Sequence, residues 1–275
     1  MWVWAVPAGL AVGLALGALG GGGSILTVPA LVYLLGQPVY TATTGSLIIV
    51  GASALTGAMS HRRAGTLRLA SGITFGVLGT VGSFAGTRLA AGVSPPVLLS
   101  AFAGLMLVVA VLMARRTRSR PATAPPAADD DDGATRIEAQ APPRGRLDLP
   151  LVTRTLAAAT VVGLLTGFFG VGGGFAVVPA LVLALGFSMP TAVGTSLLVI
   201  SINAATALLA RSTAGAFAQV DWLVIGVFAV VAAGGSLLGA RVSRRVDERL
   251  LSAAFATLLV AIAAYLAIVN VPLIG

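Results

Sequence analysis

The sequence predicts an all-α polytopic membrane protein made of two homologous repeats, with about eight spanning helices and two short or re-entrant broken ones. Three observations predict it. The 275 residues are 57% hydrophobic and only 9% charged, and the mean hydropathy is +1.00, far from the balance of a soluble domain. Apolar stretches approach the roughly 20 residues that a membrane crossing needs. Residues 20 to 47 are then written again, half of them identically, at a constant offset of 150.

The stretches run in order over residues 2 to 19, 24 to 35, 41 to 59, 67 to 91 and 95 to 114, and the series recurs from 151 to 269. The opening Met1-Trp2-Val3-Trp4 lacks the basic region and cleavage site of a signal peptide, so the first stretch reads as a retained helix, its tryptophans suited to an interfacial belt. Residues 115 to 150, RRTRSRPATAPPAADDDDGATRIEAQAPPRGRLDLP, have no apolar period and read as a disordered linker on the cytoplasmic side. The division is therefore 1–114, a first membrane repeat; 115–150, the linker; and 151–275, a second membrane repeat.

Composition also excludes. The +8 charge comes from arginine alone, because there is no lysine, and these arginines lie at segment ends and in the linker, where they set topology rather than form a nucleic-acid surface. With no cysteine there is no disulfide or thiolate chemistry. The acidic run Asp129 to Asp132 lacks glycine and glutamate at calcium-loop spacing, and the glycine runs match neither a dinucleotide fingerprint nor a P-loop. No metal, no cofactor and no nucleic acid are expected. A membrane-embedded enzyme would need a nucleophile or an acid–base pair within the spans, and none is found there.

The repeat is clearest between residues 20 to 47 and 170 to 197, where 14 of 28 positions are identical without a gap. These include Gly20, Gly22, Gly23, Pro29, Gly36 and Ser46, answering Gly170, Gly172, Gly173, Pro179, Gly186 and Ser196. Further on, Gly82-Ser-Phe-Ala-Gly-Thr-Arg88 answers Gly235-Ser-Leu-Leu-Gly-Ala-Arg241. Two orientations stay open. If 24 to 35 and 174 to 185 are re-entrant, the repeats are parallel. If they cross, the repeats are inverted, and only Arg88 and Arg211 lie outside while the other fifteen arginines lie inside. Charge favours inversion, while the shortness of these segments, about 18 Å for twelve residues, disfavours a crossing.

Gly20, Gly21, Gly22 and Gly23, followed by Ser24, and Gly170, Gly172, Gly173 and Gly174 in the second run, are the candidate substrate site. Contiguous glycines unwind a helix, which hydrocarbon tolerates only where the backbone faces protein or a water-filled cavity. The half-helix that follows points its positive dipole end at the break, a site for an anion. Pro29 and Pro179 are expected to break the helices after the runs. Spaced glycines such as Gly9, Gly13 and Gly17, or Gly163 and Gly167, read instead as close packing. The hydroxyl-rich segments after each proline add Thr44, Ser46, Thr195, Ser196 and Asn203 as donors toward an oxyanion, the alternative being hydroxyls bonded to their own helix.

On these residues the sequence resembles the TauE/SafE family of sulfite exporters, also called TSUP. The likeness rests on Gly20-Gly-Gly-Gly-Ser with Pro29-Ala-Leu, on Gly170-Val-Gly-Gly-Gly with Pro179-Ala-Leu, and on the duplicated GSxxGxR ends, and it covers both halves. It implies a permease for sulfite, thiosulfate or organosulfonates in the inner membrane, with a small sulfur oxyanion or sulfonate as substrate partner. A carrier or channel for a different small anion would use the same glycine sites. The bilayer is the other partner, and a homo-oligomer is compatible with the reading.

No carboxylate lies inside a stretch, so no proton or sodium relay is visible, and an anion can leave a negative-inside cell downhill. His61, in HRRAG, reads as a solvated loop residue. Arg88 and Arg241 read either as an anion funnel or as residues reaching the headgroups.

Overall fold

The structure is a computed structural model that describes residues 2–90, 93, 95–119, 149–169, 174–212 and 220–270. Among them every regular element is helical. In order these are α1 (Trp2–Leu19), α2 (Gly22–Pro29) continued by a π-turn (Ala30–Leu34), α3 (Val39–Arg63), α4 (Leu69–Ala90), α5 (Pro95–Ser119), α6 (Leu149–Phe169), α7 (Gly174–Leu183), α8 (Met189–Ser212), α9 (Trp222–Arg245) and α10 (Glu248–Asn270). Five of these helices hold stretches long and apolar enough to cross a bilayer: Thr41–Arg63, Leu69–Gly86, Met189–Leu209, Trp222–Arg245 and Glu248–Tyr265. Their outer faces are apolar too: Val230, Leu209, Val81 and Phe84 stand exposed where only lipid suits them.

Two boundaries differ from those expected of the sequence. Helix α5 runs on through Arg115 to Ser119, five residues into the expected linker. Arginine and threonine do not stop a helix, and the first proline of that segment is Pro121. The rest of the linker, 120 to 148, lies outside the described residues. The second difference concerns the prolines. After Pro29 the helix widens into the π-turn, one way to accommodate a missing N–H and a crowded ring, whereas Pro179 does not break α7 as expected: the helix continues to Leu183.

Helix directions follow from the close approaches at glycine. Gly9, Gly13 and Gly17 of α1 face Phe228, Ala232 and Ser236 of α9, so these two helices run parallel; Gly45 and Gly57 of α3 face Ile225 and Ser236, so α3 runs with them. On the other side, Gly79 and Ser83 of α4 meet Gly163 and Gly167 of α6, and Gly72 and Gly76 of α4 meet Leu198 and Ile202 of α8, making α4, α6 and α8 parallel to one another. The two sets run in opposite directions, because Gly51 of α3 faces Ala204 of α8 while Gly57 faces Leu197. Helices at equivalent places in the two halves therefore point opposite ways: α1 against α6, α3 against α8, α4 against α9. The spaced glycines make this possible. A Cβ at Gly13 or Gly17 would overlap the α9 backbone, so each admits the neighbouring main chain at a distance that any side chain would forbid.

Charge sorts along the same axis. Arg62, Arg63, Arg68, Arg154, Arg241, Arg244, Arg245 and Arg249 fall at one end of the bundle, and Arg88 and Arg211 at the other. The short helices close alike. Gly36 and Gly186, 150 residues apart, have φ of 67° and 73°, and the following N–H groups of Gln37 and Phe187 donate to the carbonyls of Leu31 and Leu181 at 3.0 and 3.1 Å. This is the left-handed glycine stop that frees a chain to turn back.

Candidate functional site

The first glycine run lies inside the bundle. Gly17, two residues before α1 ends, faces Ser236 of α9, and α9 continues nine residues to Arg245, about 14 Å of helix. Gly20 then turns the chain with φ +70°, and α2 starts back alongside α1, with Gly23 against Val12 and Leu16. Side-chain hydroxyls of α2 serve this turn: Ser24 Oγ donates to the Gly21 carbonyl at 2.7 Å, and Thr27 Oγ1 to the Gly23 carbonyl at 3.2 Å.

Here the two halves touch. A Cβ on Gly21 would overlap the carbonyl of Gly174, the first residue of α7, and a Cβ on Gly174 would come within 2.8 Å of the Gly21 Cα. A Cβ on Gly20 would stand 2.5 Å from Ser196 Oγ and 2.9 Å from Val178. Two half-helices, α2 and α7, thus begin at one buried spot, where the positive ends of their dipoles meet, although the Ser24 N–H is already held by the Gly21 carbonyl at 3.2 Å. Because α2 leads toward the start of α3 and α7 toward the start of α8, the pair diverges from its N-terminal ends.

The structure brings Gly20, Gly21, Gly174 and Ser196 together; Gly22 lies beside Leu258 and Phe255 of α10, and Gly23 against α1. Gly170, Gly172 and Gly173 lie outside the described residues. Other candidates sit elsewhere. Thr44 Oγ1 accepts from Arg211 Nη1 at 2.9 Å at one end of the bundle, while Thr195 Oγ1 accepts from the Arg68 N–H at 3.2 Å at the other. Ser46 and Ser196 are buried and donate to the carbonyls of Thr43 and Val193, within their own helices. Asn203 presents a buried Oδ1 without a hydrogen-bond partner, 4.0 Å from where a Cβ on Gly79 would be.

Arg88 and Arg241 end up at opposite mouths. Arg88 stacks over Phe84, its guanidinium 4.8 Å from the ring centre. Arg241 lines a cavity of about 310 Å³ with Arg63 and Arg244. His61 corrects its expected solvated role: it is fully buried in the last turn of α3. Its Nδ1 meets Thr66 Oγ1 at 2.8 Å across the turn into α4, and Gly194 leaves room for its ring.

Sequence reasoning missed the aromatic wall behind α7. Phe102 lies 5.1 Å from both Phe169 and Phe175, edge-on to the latter, and Phe175 is wholly buried. The phenylalanines on both sides of the second glycine run, FFGVGGGF, carried that signal: bulky rings beside residues without side chains fill the space that glycine leaves.

The family model described as Sulfite exporter TauE/SafE matches residues 5–266, which takes in every helix that forms the glycine-lined centre. The chain belongs to the TauE/SafE family. A probable membrane transporter protein of Xylella fastidiosa strain 9a5c is 33% identical over 264 residues, covering 94% of this chain and 92% of its own. A second, named probable membrane transporter protein YdhB, from Bacillus subtilis, is 28% identical over 242 residues, covering 88% and 90%. No solved structure matches the chain significantly. As a TauE/SafE protein the chain is a multi-pass membrane transporter, and the buried glycine contact lies in the region that the family model spans.

Proposed function

We propose that this chain carries small sulfur-containing anions, such as sulfite, thiosulfate or organosulfonates, outward across the inner membrane by alternating access. The observation that carries the reading is the meeting of Gly21 and Gly174, where α2 and α7 begin together inside the bundle. Backbone N–H groups and two positive helix ends at one buried place hold an anion without a cationic side chain, which would bind a product too tightly to release it.

The opposed directions of equivalent helices support reading 1–114 and 151–275 as inverted repeats, each contributing one glycine break. In such a pair the conformation open to one side is the mirror role of that open to the other, and rocking one half against the other exchanges them. The arginine-rich end is the cytoplasmic one by the positive-inside rule, which puts the linker there as well. Export needs no coupling ion, because an inside-negative potential drives each charge outward by about 2.3 kcal/mol per 100 mV.

The test is efflux of labelled sulfite from proteoliposomes at clamped potential, with thiosulfate and methanesulfonate in parallel. Saturable, potential-dependent efflux with counterflow, lost in Gly21→Ala, is the expected result. Flux of none of these anions at any potential would sink the substrate class, and flux without counterflow would make the protein a pore.

A further inference from the structure

The cavity at the arginine-rich end is bounded by the last turns of α3 and α9. Arg63, Arg241 and Arg244 supply its charge, Thr56 and Ser60 its hydroxyls, and Met59 and Leu237 its apolar walls. Among the described residues no carboxylate pairs with any of the three arginines. Guanidinium groups gathered around one hollow repel one another, a cost that a bound anion removes.

A second observation leads inward from it. Ser53, Ser236 and Ser243 are fully buried, and the Oγ of each lacks a hydrogen-bond partner. All three lie on α3 and α9. Ser236 Oγ faces α3 at Gly57, 2.6 Å from where a Cβ there would be. Ser243 stands two turns farther toward the cavity on the same face of α9, and Ser53 one turn deeper than Gly57 on the same face of α3. A buried hydroxyl without a partner is destabilising, so three along one seam need a reason. The innermost reach the depth of the central break, since Ser236 also faces Gly17 at the end of α1.

We propose that this cavity is a second oxyanion site, where a free, doubly charged oxyanion docks from the water; the α3–α9 seam beneath it is closed at Gly57 and Ser236, so its buried serines replace lost hydration only when the two helices part. The proposal rests on the anion-permease reading and adds a place and a residue set to it. The same chemistry occurs in a lipid phosphate, but a headgroup held at the rim gives no role to serines lying deeper in the seam.

Protection from arginine modification tests it without requiring transport. The full chain in nanodiscs is treated with phenylglyoxal, and adducts at Arg62, Arg63, Arg241 and Arg244 are followed by mass spectrometry, with sulfate as the probe. In neutral phosphatidylcholine, sulfate is expected to slow modification of Arg63, Arg241 and Arg244 at least fivefold and saturably, leaving Arg62 unchanged. Arg241→Gln should raise the half-protecting concentration at Arg63 and Arg244 about tenfold. Protection that appears only with phosphatidylglycerol, and is indifferent to sulfate, would assign the site to lipid and overturn the proposal. So would equal protection of Arg62, which is mere screening, or none at all. If sulfate protects but no anion is transported, the site stands and the permease reading falls; if transport is found without protection, the reverse holds.

Discussion

Gly21 and Gly174, 153 positions apart in the chain, lie so close that neither can carry a methyl group without displacing the other's backbone. Replacing Gly21 by alanine should abolish transport and lower the detergent melting temperature, because the new Cβ meets main chain that cannot yield. Gly226→Ala is the matched comparison. Its Cβ would meet nothing within 4 Å, so that variant should keep its flux and gain up to about 1 kcal/mol of helix stability. Flux in both and thermal melts decide the matter.

Gly20 and Gly65 share a backbone conformation, φ +70° and +71°, but not surroundings. A Cβ on Gly65 enters open space, so Gly65→Ala should cost only the left-handed penalty, about 1–2 kcal/mol. Gly20→Ala adds a collision with Ser196 Oγ and Val178. The difference between the two, read by denaturation of each against the parent, isolates the packing at the break; equal losses would mean that this contact is slack.

Arg211 anchors the last turn of α8 to the start of α3 through Thr43 and Thr44, at 3.1 and 2.9 Å. Thr44→Val removes one charge-assisted hydrogen bond beside a buried position and should destabilise by about 1.5–3 kcal/mol. Thr43→Val, at a half-buried position on the same guanidinium, should cost less. Urea titration of both variants would show whether the order holds.

Helix directions give a topology that can be tested directly, since the chain has no cysteine to remove. Arg62→Cys and Arg88→Cys place single thiols at exposed positions on opposite ends of the bundle. In whole cells an impermeant maleimide should label the cysteine at 88 and spare that at 62. Labelling of both, or of neither, would contradict the opposed ends.

Much of this architecture was legible in the sequence. The spacing of Gly9, Gly13 and Gly17 foretold a backbone-to-backbone approach, and Gly36 and Gly186 stood out only as identities in the repeat until their backbone angles showed them to be helix stops of one geometry. The partner in that approach was not legible. Nothing in the α1 stripe names α9, over 200 residues later, because small residues specify closeness and not identity. His61 was misread for a related reason: its neighbours Arg62 and Arg63 are polar, but the residue that makes room for its ring is Gly194, on a different helix. Thr44 and Thr195 looked like one kind of ligand by composition, and tertiary contacts give them separate structural partners, Arg211 and Arg68.

The pairing of α1 with α9, and of α4 with α6, also sets an order of events at the ribosome. Helix α1 emerges roughly 200 residues ahead of its partner, a delay of about 10–40 s at ordinary rates of synthesis. Throughout that interval its glycine stripe has only lipid beside it. The amino-terminal portion is an unfinished object until the carboxy-terminal portion arrives, and a chain cut in the linker should mature only when both fragments are made in the same membrane.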